Sequence, residues 1–382
     1  MPEKSRRILV FTTAYAPLIG GSELALENII RHLPNIFFDV LTPRYKKIFP
    51  SEELGSNFKI KRLGWGSFFD KFFFPILGFW QAVKLNKMER YSTVHAYQAS
   101  YGGGAGWLFK TFFPGTNFIV TLQEGKELNK QRRFIKFFRR LILKKANIIT
   151  VISNYLLEQA KRINAKAEVS LIPNGVDIVK FNSAVEPEPR TNLGVNIKPS
   201  DKVIITISRL VAKNGLAGLI DSFRSVKEKV PGAKLVIIGG GQLKSELEYK
   251  VEKSNLKNDI FLKDEIEHAK IPAYLRAADV FVRPSLSEGL GTAFLEAMAV
   301  GLPVVGSTVV AGVRTGIADF ITEGETGLSC DPKDPVDIGK KITAILSDSD
   351  LAKRLSVGGQ ILVKAKYTWD KVAEKFKLIY EG

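Results

Sequence analysis

The sequence predicts an α/β protein of two domains, each built on a parallel sheet, and three observations carry that reading. Short runs rich in β-branched and aromatic residues alternate with stretches whose apolar residues recur at helical spacing, the order expected of βαβ units. Glycine-rich turns at 20–21, 102–104, 239–241 and 289–291 follow such runs and lead into helical stretches. The chain has 382 residues, enough for two separate cores, and a proline-containing stretch at 186–200 lies near its middle.

Composition narrows the classes further. A hydrophobic content of 45% with 10% aromatics excludes disordered and collagen-like chains. Cys330 is the single cysteine, so no internal disulfide can form, which fits a reducing compartment. His32, His95 and His268 are scattered without metal-ligand spacing, and no metal is expected. The net charge of +17 is uneven: up to residue 185 there are 28 Lys+Arg against 13 Asp+Glu, a net of +15, which leaves +2 for the rest. So basic a half suits an acidic substrate or an anionic membrane surface. It suits nucleic acid less, because its aromatics are phenylalanines at core spacing and no recognition motif is present. Lys4, Arg6 and Arg7 before a short apolar run superficially resemble a secretory signal, but Thr12-Thr13 follow too soon, and a buried strand is expected instead. The longest apolar stretch, 72–83, is interrupted by Pro75 and Gln81 and falls short of a membrane span. A cytoplasmic protein is expected, soluble or peripheral at the inner face of the membrane.

In the first half, a strand at 8–11 feeds the loop 16–21 and a helix at 22–32, with Ser22 as N-cap and Glu23 in the first turn. Gly20 and Gly21 let the backbone crowd a ligand at the carboxyl end of that strand, where open α/β sheets bind ligands. Strands are expected at 37–41 and 58–63. Residues 65–87 then hold Phe68, Phe69, Phe72, Phe73, Phe74, Phe79 and Trp80. Two readings stay open there: a core helix with a proline-broken start, or a surface that dips into lipid between Lys71 and Lys84. A strand at 94–97 enters the 102–104 glycines, and a strand at 118–122 exits through Gln123. The segment 126–145 carries nine Lys/Arg against one acid, Glu127, with Phe134, Phe137, Phe138, Leu141 and Ile142 at helical spacing. It reads either as a helix lying on an anionic membrane or as a surface helix whose apolar stripe packs on the sheet. Strands at 147–152 and 169–172 end the first domain, the second of them in Pro173-Asn174-Gly175-Val176-Asp177. Pro187, Pro189 and Pro199 mark 186–200 as a linker.

The second half opens on a strand at 203–207 followed by Ser208-Arg209-Leu210 and Lys213. Two cations four residues apart beyond a strand would clamp a diphosphate, arginine by its planar fork and lysine as a point charge. A strand at 234–238 leads to Gly239-Gly240-Gly241, and one at 260–262 to the segment 263–266 that ends in Ile266. The central stretch is 283–307. Its strand ends in Pro284, Ser285 and Ser287; Gly289 and Gly291 flank Leu290; a helix runs from Thr292 to Ala299; and Gly301-Leu302-Pro303 stops it. Glycines ahead of a helix allow close approach of backbone N–H groups to an anion, and the helix dipole adds to the attraction. A nucleotide diphosphate fits such a turn, with Glu288 facing the reacting group and Glu296 a ribose. On spacing alone, an ordinary βαβ unit with solvated glutamates is the alternative.

Glu288-Gly289 through Leu295-Glu296-Ala297-Met298-Ala299, then Gly301 and Pro303-Val304-Val305, resembles the E-x7-E region of the retaining glycosyltransferases of family 4. Pro17 to Glu23 resembles the family's P-x-x-GG-x-E loop. Ser208-Arg209 with Lys213 resembles its S-R-x3-K-G pattern, here with Asn214 before the glycine. The resemblance implies an α/β GT-B fold, two Rossmann-like domains with parallel sheets facing across a cleft. An acceptor-binding domain would span 1–185, with 368–382 crossing back onto it, and a nucleotide-sugar-binding domain 201–367. It implies catalytic roles for Glu288, Arg209, Lys213 and Gln123, and donor contacts from Gly20, Gly21, Gly239, Ile266, Gly289, Leu290, Gly291, Thr292 and Glu296. The donor would be a UDP- or GDP-sugar, used as substrate with no other cofactor and no metal, and the acceptor a glycan or lipid-linked glycan. The chain departs from the family at Gln123, where relatives often carry a histidine, and at 311–319, where the match to GG-x-x-E is loose. These departures leave a non-catalytic nucleotide-sugar sensor or scaffold, or a GT-B epimerase, as alternatives.

Overall fold

The computed structural model describes residues 6–382 except 19, 124–132, 165, 183, 196, 311 and 312; the side chains of Phe134 and Arg314 also lie outside the described set. The chain forms two compact units, Met1–Asn174 with Trp369–Gly382, and Gly175–Thr368.

The sheet of the first unit contains β1 (Arg6–Thr12), β2 (Ile36–Pro43), β3 (Glu52–Leu54), β4 (Phe58–Leu63), β5 (Thr93–Tyr97), β6 (Asn117–Leu122), β7 (Ile148–Val151) and β8 (Glu168–Leu171), in the order β3-β4-β2-β1-β5-β6-β7-β8. Every pairing is parallel except β3 with β4. Helices α1 (Gly21–Arg31), α2 (Asp70–Met88), α3 (Tyr101–Phe112), α4 (Arg133–Lys145) and α5 (Asn154–Ile163) make the crossovers. Ile8, Leu9, Val10 and Phe11 of β1 are all fully buried, which explains why this strand reads as an unbroken apolar run: both faces of a parallel sheet are covered. The strand order reverses between β1 and β5, so the loops after these two strands flank the switch point.

Two local expectations change. Helix α1 begins at Gly21 with an extended Gly20 as its cap, and Ser22 lies inside the first turn. The Ser22 hydroxyl donates to Glu23 Oε2 at 2.9 Å and accepts from Gln98 Nε2 at 2.9 Å, so side-chain partners replace the capping bond. In the basic segment, 126–132 lies outside the described residues. Along α4, Arg139, Ile142 and Leu143 are buried while Ile135, Phe137 and Phe138 are exposed, so its apolar residues divide between packing and surface.

The last helix of the chain belongs to this unit and buries Trp369, Val372, Ala373, Phe376 and Tyr380 in the same core as Ile8, Val10 and Ile29. Its polar anchor is His95, fully buried on β5. His95 Nδ1 lies 2.7 Å from the Tyr380 hydroxyl and Nε2 2.6 Å from Thr121 Oγ1, which is itself 2.6 Å from Thr150 Oγ1. Burial pushes the His95 pKa down from 6.5 to about 3. A histidine that binds its proton only when unfolded makes stability pH-dependent: the contribution is full above pH 6.5 and is lost as pH falls toward 3. At about 1.4 kcal/mol per pH unit, this one group removes roughly 2 kcal/mol of stability between pH 6.5 and pH 5. His95→Gln is therefore expected to flatten the fall in melting temperature between pH 7 and pH 5; an unchanged acid slope in the variant would contradict the assignment.

The second unit has strands β9 (Lys202–Ile207), β10 (Ala233–Ile238), β11 (Ile260–Lys263), β12 (Val280–Arg283), β14 (Val304–Ser307) and β16 (Leu328–Cys330) in the parallel order β11-β10-β9-β12-β14-β16. A separate two-stranded ribbon pairs β13 (Ser287–Glu288) with β15 (Arg314–Thr315). Its helices are α6 (Arg190–Leu193), α7 (Leu216–Lys229), α8 (Lys244–Glu252), α9 (Ile271–Arg276), α10 (Thr292–Ala299), α11 (Pro335–Ser347) and α12 (Ser349–Lys366), leaving α13 for Trp369–Glu381. Here the order reverses between β9 and β12. The stretch 186–200, expected as a linker, packs on this unit. Leu193 and Ile197 are buried, and Arg190 Nη2 pairs with Asp279 Oδ2 at 3.0 Å. Its prolines made it look extended, but two apolar side chains and one ion pair hold it down. Among the described residues no helix is long and apolar enough to cross a membrane.

Candidate active site

The loops leaving β9, β10 and β12 are built into one another at the switch point of the second sheet. Gly215 follows a short 3-10 turn, Ala212–Asn214, in the left-handed region at φ 68°. A Cβ there would stand 1.8 Å from the Pro284 carbonyl oxygen, so only glycine permits this approach. The contact brings Leu286 N to donate to Lys213 O at 2.7 Å, locking the β9 loop to the β12 loop. Buried Asn214 donates from Nδ2 to Arg209 O at 2.7 Å, so the residue that departs from the family pattern closes the turn between the two cations. Gly239, at φ 149°, passes so close to Ser208 that a Cβ would lie 1.9 Å from its carbonyl oxygen, and Leu210 N donates to Gly240 O at 2.8 Å. The observed role of Gly239 is thus the crossing of two loops.

Three charged side chains meet inside this frame. Arg283 ends β12 with only 6% of its surface exposed. Its Nη2 lies 3.2 Å from Glu288 Oε2, its Nε donates to Ser285 Oγ at 3.2 Å, and its guanidinium sits 5.0 Å from the Phe294 ring centre. Lys213 Nζ reaches the same Glu288 Oε2 and the Ser287 carbonyl, each at 3.5 Å. Gly289 N donates to the other carboxylate oxygen at 3.0 Å. Burial by itself would raise the Glu288 pKa, but Arg283, Lys213 and the Gly289 N–H outweigh it, and the carboxyl is held below its usual value. Burial lowers the pKa of Lys213, aided by Arg283 and Arg209 and opposed by Glu288. Pairing of Ser287 and Glu288 with Arg314 and Thr315 in the β13–β15 ribbon fixes the backbone that carries the carboxylate. Arg209 is exposed and, among the described residues, forms no side-chain hydrogen bond or ion pair, which leaves its guanidinium available.

Beyond Glu288, Leu290 is buried and Gly291 caps α10 in the left-handed region at φ 88°. Phe294 N already donates to Gly291 O at 2.9 Å. The N–H groups of Thr292 and Ala293 belong to the first turn, where no intrahelical acceptor exists and an anion is favoured. On the same helix, Glu296 Oε1 lies 3.0 Å from His268 Nε2, and His268 Nδ1 lies 2.7 Å from Lys180 Nζ. A lysine ammonium only donates, so Nδ1 accepts and the ring proton sits on Nε2, pointing at Glu296. The His268 ring also packs on Phe181, with centres 5.5 Å apart. Burial lowers the Lys180 pKa, against the pull of Glu296 and Asp177. Half-buried Ile266 is two residues from His268.

The structure therefore brings Lys213, Glu288, Gly289, Leu290, Gly291 and Thr292 into one constellation beside Arg209, with Glu296 on the same helix. Sequence reasoning missed Arg283, His268 and Lys180. A charged residue ending the apolar run 280–282 was the available signal for Arg283; nothing local marked the other two. Gly20, Gly21 and Gln123 lie in the first unit, where Gly21 faces open space. Gln123 Nε2 donates to the Tyr97 hydroxyl at 3.0 Å and to Asn174 Oδ1 at 2.8 Å, while its Oε1 accepts from Asn174 Nδ2 at 2.9 Å. This amide clasp holds the end of β6 to the Pro173-Asn174 turn. Ala311 and Gly312, the start of the loosely matching segment, lie outside the described residues. Among the described residues no cluster of His, Cys, Asp and Glu has the arrangement of a metal site.

Two family models match the chain, Glycosyltransferase Family 4 over residues 19–180 and Glycosyl transferases group 1 over residues 192–361. One relative is a GDP-mannose-dependent alpha-(1-6)-phosphatidylinositol monomannoside mannosyltransferase of Mycobacterium tuberculosis, 28% identical over 245 residues. That match covers 62% of the chain and 62% of the relative. An uncharacterized glycosyltransferase of Methanocaldococcus jannaschii is 25% identical over 98% of the chain and 97% of its own length. Among solved structures, sucrose-phosphate synthase from Thermosynechococcus elongatus superposes with a TM-score of 0.81 at 20% identity, covering 98% of both chains. The Anabaena protein HepE, solved in complex with UDP and glucose, superposes at 0.77 and 16% identity over 99% of this chain and all of its own. With two Rossmann-like units, matching family models in both halves and the E-x7-E glutamates on one strand–turn–helix, the chain belongs to the family 4 glycosyltransferases of GT-B fold.

Proposed function

We propose that the protein is a retaining, metal-independent hexosyltransferase that moves a sugar from a nucleotide-diphosphate sugar to a glycan or lipid-linked acceptor. The observation that carries this reading is the cation cluster at the carboxyl ends of β9 and β12, set against the amino terminus of α10. The names of the relatives add support: a GDP-mannose donor and a phosphatidylinositol mannoside acceptor for the mycobacterial enzyme, and bound UDP with glucose for HepE.

Charge develops on the diphosphate as the sugar–phosphate bond breaks. Arg209 and Lys213, with the first-turn N–H groups of α10, would offset it, and such preorganised electrostatics carry a large part of many rate enhancements. These groups take the part a metal plays elsewhere. Gly289, Leu290 and Gly291 would hold sugar and phosphate through backbone groups. Glu288, kept ionised by Arg283, would orient the sugar and stabilise positive charge near the anomeric carbon. Glu296 would bind ribose hydroxyls through the carboxylate oxygen left free by His268, with Lys180 setting the histidine tautomer. Gln123 would act by hydrogen bonding and position, since an amide moves no proton. The acceptor would be met at the inner face of the membrane, to which the basic segment 126–145 is suited.

A thermal-shift screen with UDP-, GDP- and ADP-sugars tests the donor site. One nucleotide sugar at about 100 times its dissociation constant is expected to add roughly 2.7 kcal/mol, with GDP-mannose tried first. The shift should disappear in Arg209→Ala. No shift with any donor would overturn the reading.

A further inference from the structure

We infer that the outer face of α2 is a lipid-inserting ridge, by which the first unit docks on an anionic bilayer with its ligand-binding edge at headgroup level. The proposal deepens the membrane placement above and rests on it.

Helix α2 fills its inner face with few residues. Phe74, Phe79 and Ala82 are buried, and the helix lies close on α3 through small side chains: a Cβ on Gly78 would stand 3.1 Å from Ala105 Cβ, and one on Gly104 3.3 Å from Pro75. The remaining aromatics are left outside. Trp65, Phe68, Phe69, Phe72, Phe73 and Trp80 are each at least 50% exposed. They cluster in groups, Trp65 with Phe73 at 5.6 Å between ring centres, and Phe69 with Phe68 and with Phe72, each at 6.3 Å. Six large aromatics each half or more exposed within sixteen residues are unusual for a surface that meets only water.

Charge and placement identify the occupant. The basic residues of α2 are Lys71, Lys84 and Lys87, and Lys71 Nζ sits 3.3 Å above the Phe68 ring. The one acid of the helix, Asp70, is buried and accepts from Gly66 N and Ser67 N at 2.8 and 3.0 Å. A face of aromatics and cations without an exposed acid matches anionic lipid and repels a second copy of itself. Tryptophans stand at both ends of the run with phenylalanines between, the arrangement in which indoles rest at the interface and phenyl rings enter the acyl region.

The ridge also reaches the switch point of its own sheet. Phe68 lies 6.2 Å from Tyr45, whose hydroxyl donates to Thr13 O at 2.7 Å in the loop after β1. Phe72 packs edge-on against Tyr101, the first residue of α3, at 5.3 Å, and neighbouring Ser100 Oγ lies 2.6 Å from Thr13 Oγ1. Insertion of α2 therefore sets the β1 and β5 loops at the lipid surface, where an amphiphile keeps its tail in the bilayer and offers its head to the sheet edge.

The test is flotation with phosphatidylcholine vesicles and with equimolar phosphatidylcholine–phosphatidylglycerol vesicles, read together with tryptophan emission and its quenching by brominated lipid. Wild type should float with the anionic vesicles, with blue-shifted emission quenched through Trp65 and Trp80. Phe69→Ser with Phe73→Ser should cut partitioning about tenfold or more at unchanged melting temperature. Lys136→Ser with Arg140→Ser and Lys144→Ser tests α4 separately. Wild-type flotation lost only in the α4 variant, without quenching, would overturn the ridge and leave the membrane placement standing. No flotation of wild type would overturn both, while donor thermal shifts report independently on the transferase reading. A wild-type dimer that becomes monomeric in the Phe69/Phe73 variant would reassign the ridge to a protein interface.

Discussion

Arg283→Met is expected to lower kcat/KM by about 10²–10³-fold and to destabilise the second unit at the same time. The guanidinium is buried and is the main group holding Glu288 ionised. A methionine of similar length fills the space but leaves a half-buried carboxylate whose remaining cation, Lys213, is 3.5 Å away. Breaking a buried pair from one side costs about 3–5 kcal/mol; with Glu288 half-buried and still facing Lys213 that is the upper bound, a fall of at most roughly 6–12 °C in melting temperature for a unit of this size. On the proposed role of Glu288, Arg283 would act on the reaction through that carboxylate, so the pH profile is the discriminating readout. Without the guanidinium the Glu288 pKa rises, and the acid limb of kcat should move to higher pH. A variant with reduced melting temperature but an unmoved acid limb would make Arg283 a structural residue only.

Lys213→Ala is expected to separate activity from stability. Its ammonium is partly exposed, and its removal leaves Glu288 still paired with Arg283 at 3.2 Å. The melting temperature should change little. The loss should fall on kcat, by about 10²–10³-fold, because the lysine would meet the diphosphate most strongly as negative charge accumulates on it. Steady-state kinetics with the donor found by the thermal-shift screen would check this. A rise in KM with unchanged kcat would show that Lys213 binds ground state and transition state alike, and would move the leaving-group role to Arg209 and α10.

Much of this organisation was legible in the chain, for identifiable reasons. The central strands are covered on both faces, so runs such as 8–11, 203–205 and 280–282 stand out as uninterrupted apolar segments. Glycines at strand exits were visible, but two of them proved to serve the crossing of loops: Gly215 and Gly239 pass backbone carbonyls at distances no Cβ allows. Ser22 had the type and position of a cap, yet a neighbouring glutamate and a glutamine from another loop took its hydroxyl. The prolines of 186–200 hid the burial of Leu193 and Ile197.

By itself the sequence determined the α/β class, the βαβ order, the lopsided charge and the residue types available at the strand–turn–helix of 283–307, because these depend on local periodicity, turn chemistry and composition. Tertiary structure alone decided which charges meet. Arg283, Lys213 and Glu288 converge because two loops on either side of a switch point interlock, and Lys180, His268 and Glu296 align although 88 and 28 residues separate them in turn. It also decided that α2 turns most of its aromatics outward. Helical spacing places residues on faces, but which face is covered depends on how closely a neighbouring helix can approach, and here Gly78 and Gly104 bring α3 so near that Phe74 and Phe79 suffice to fill the space between.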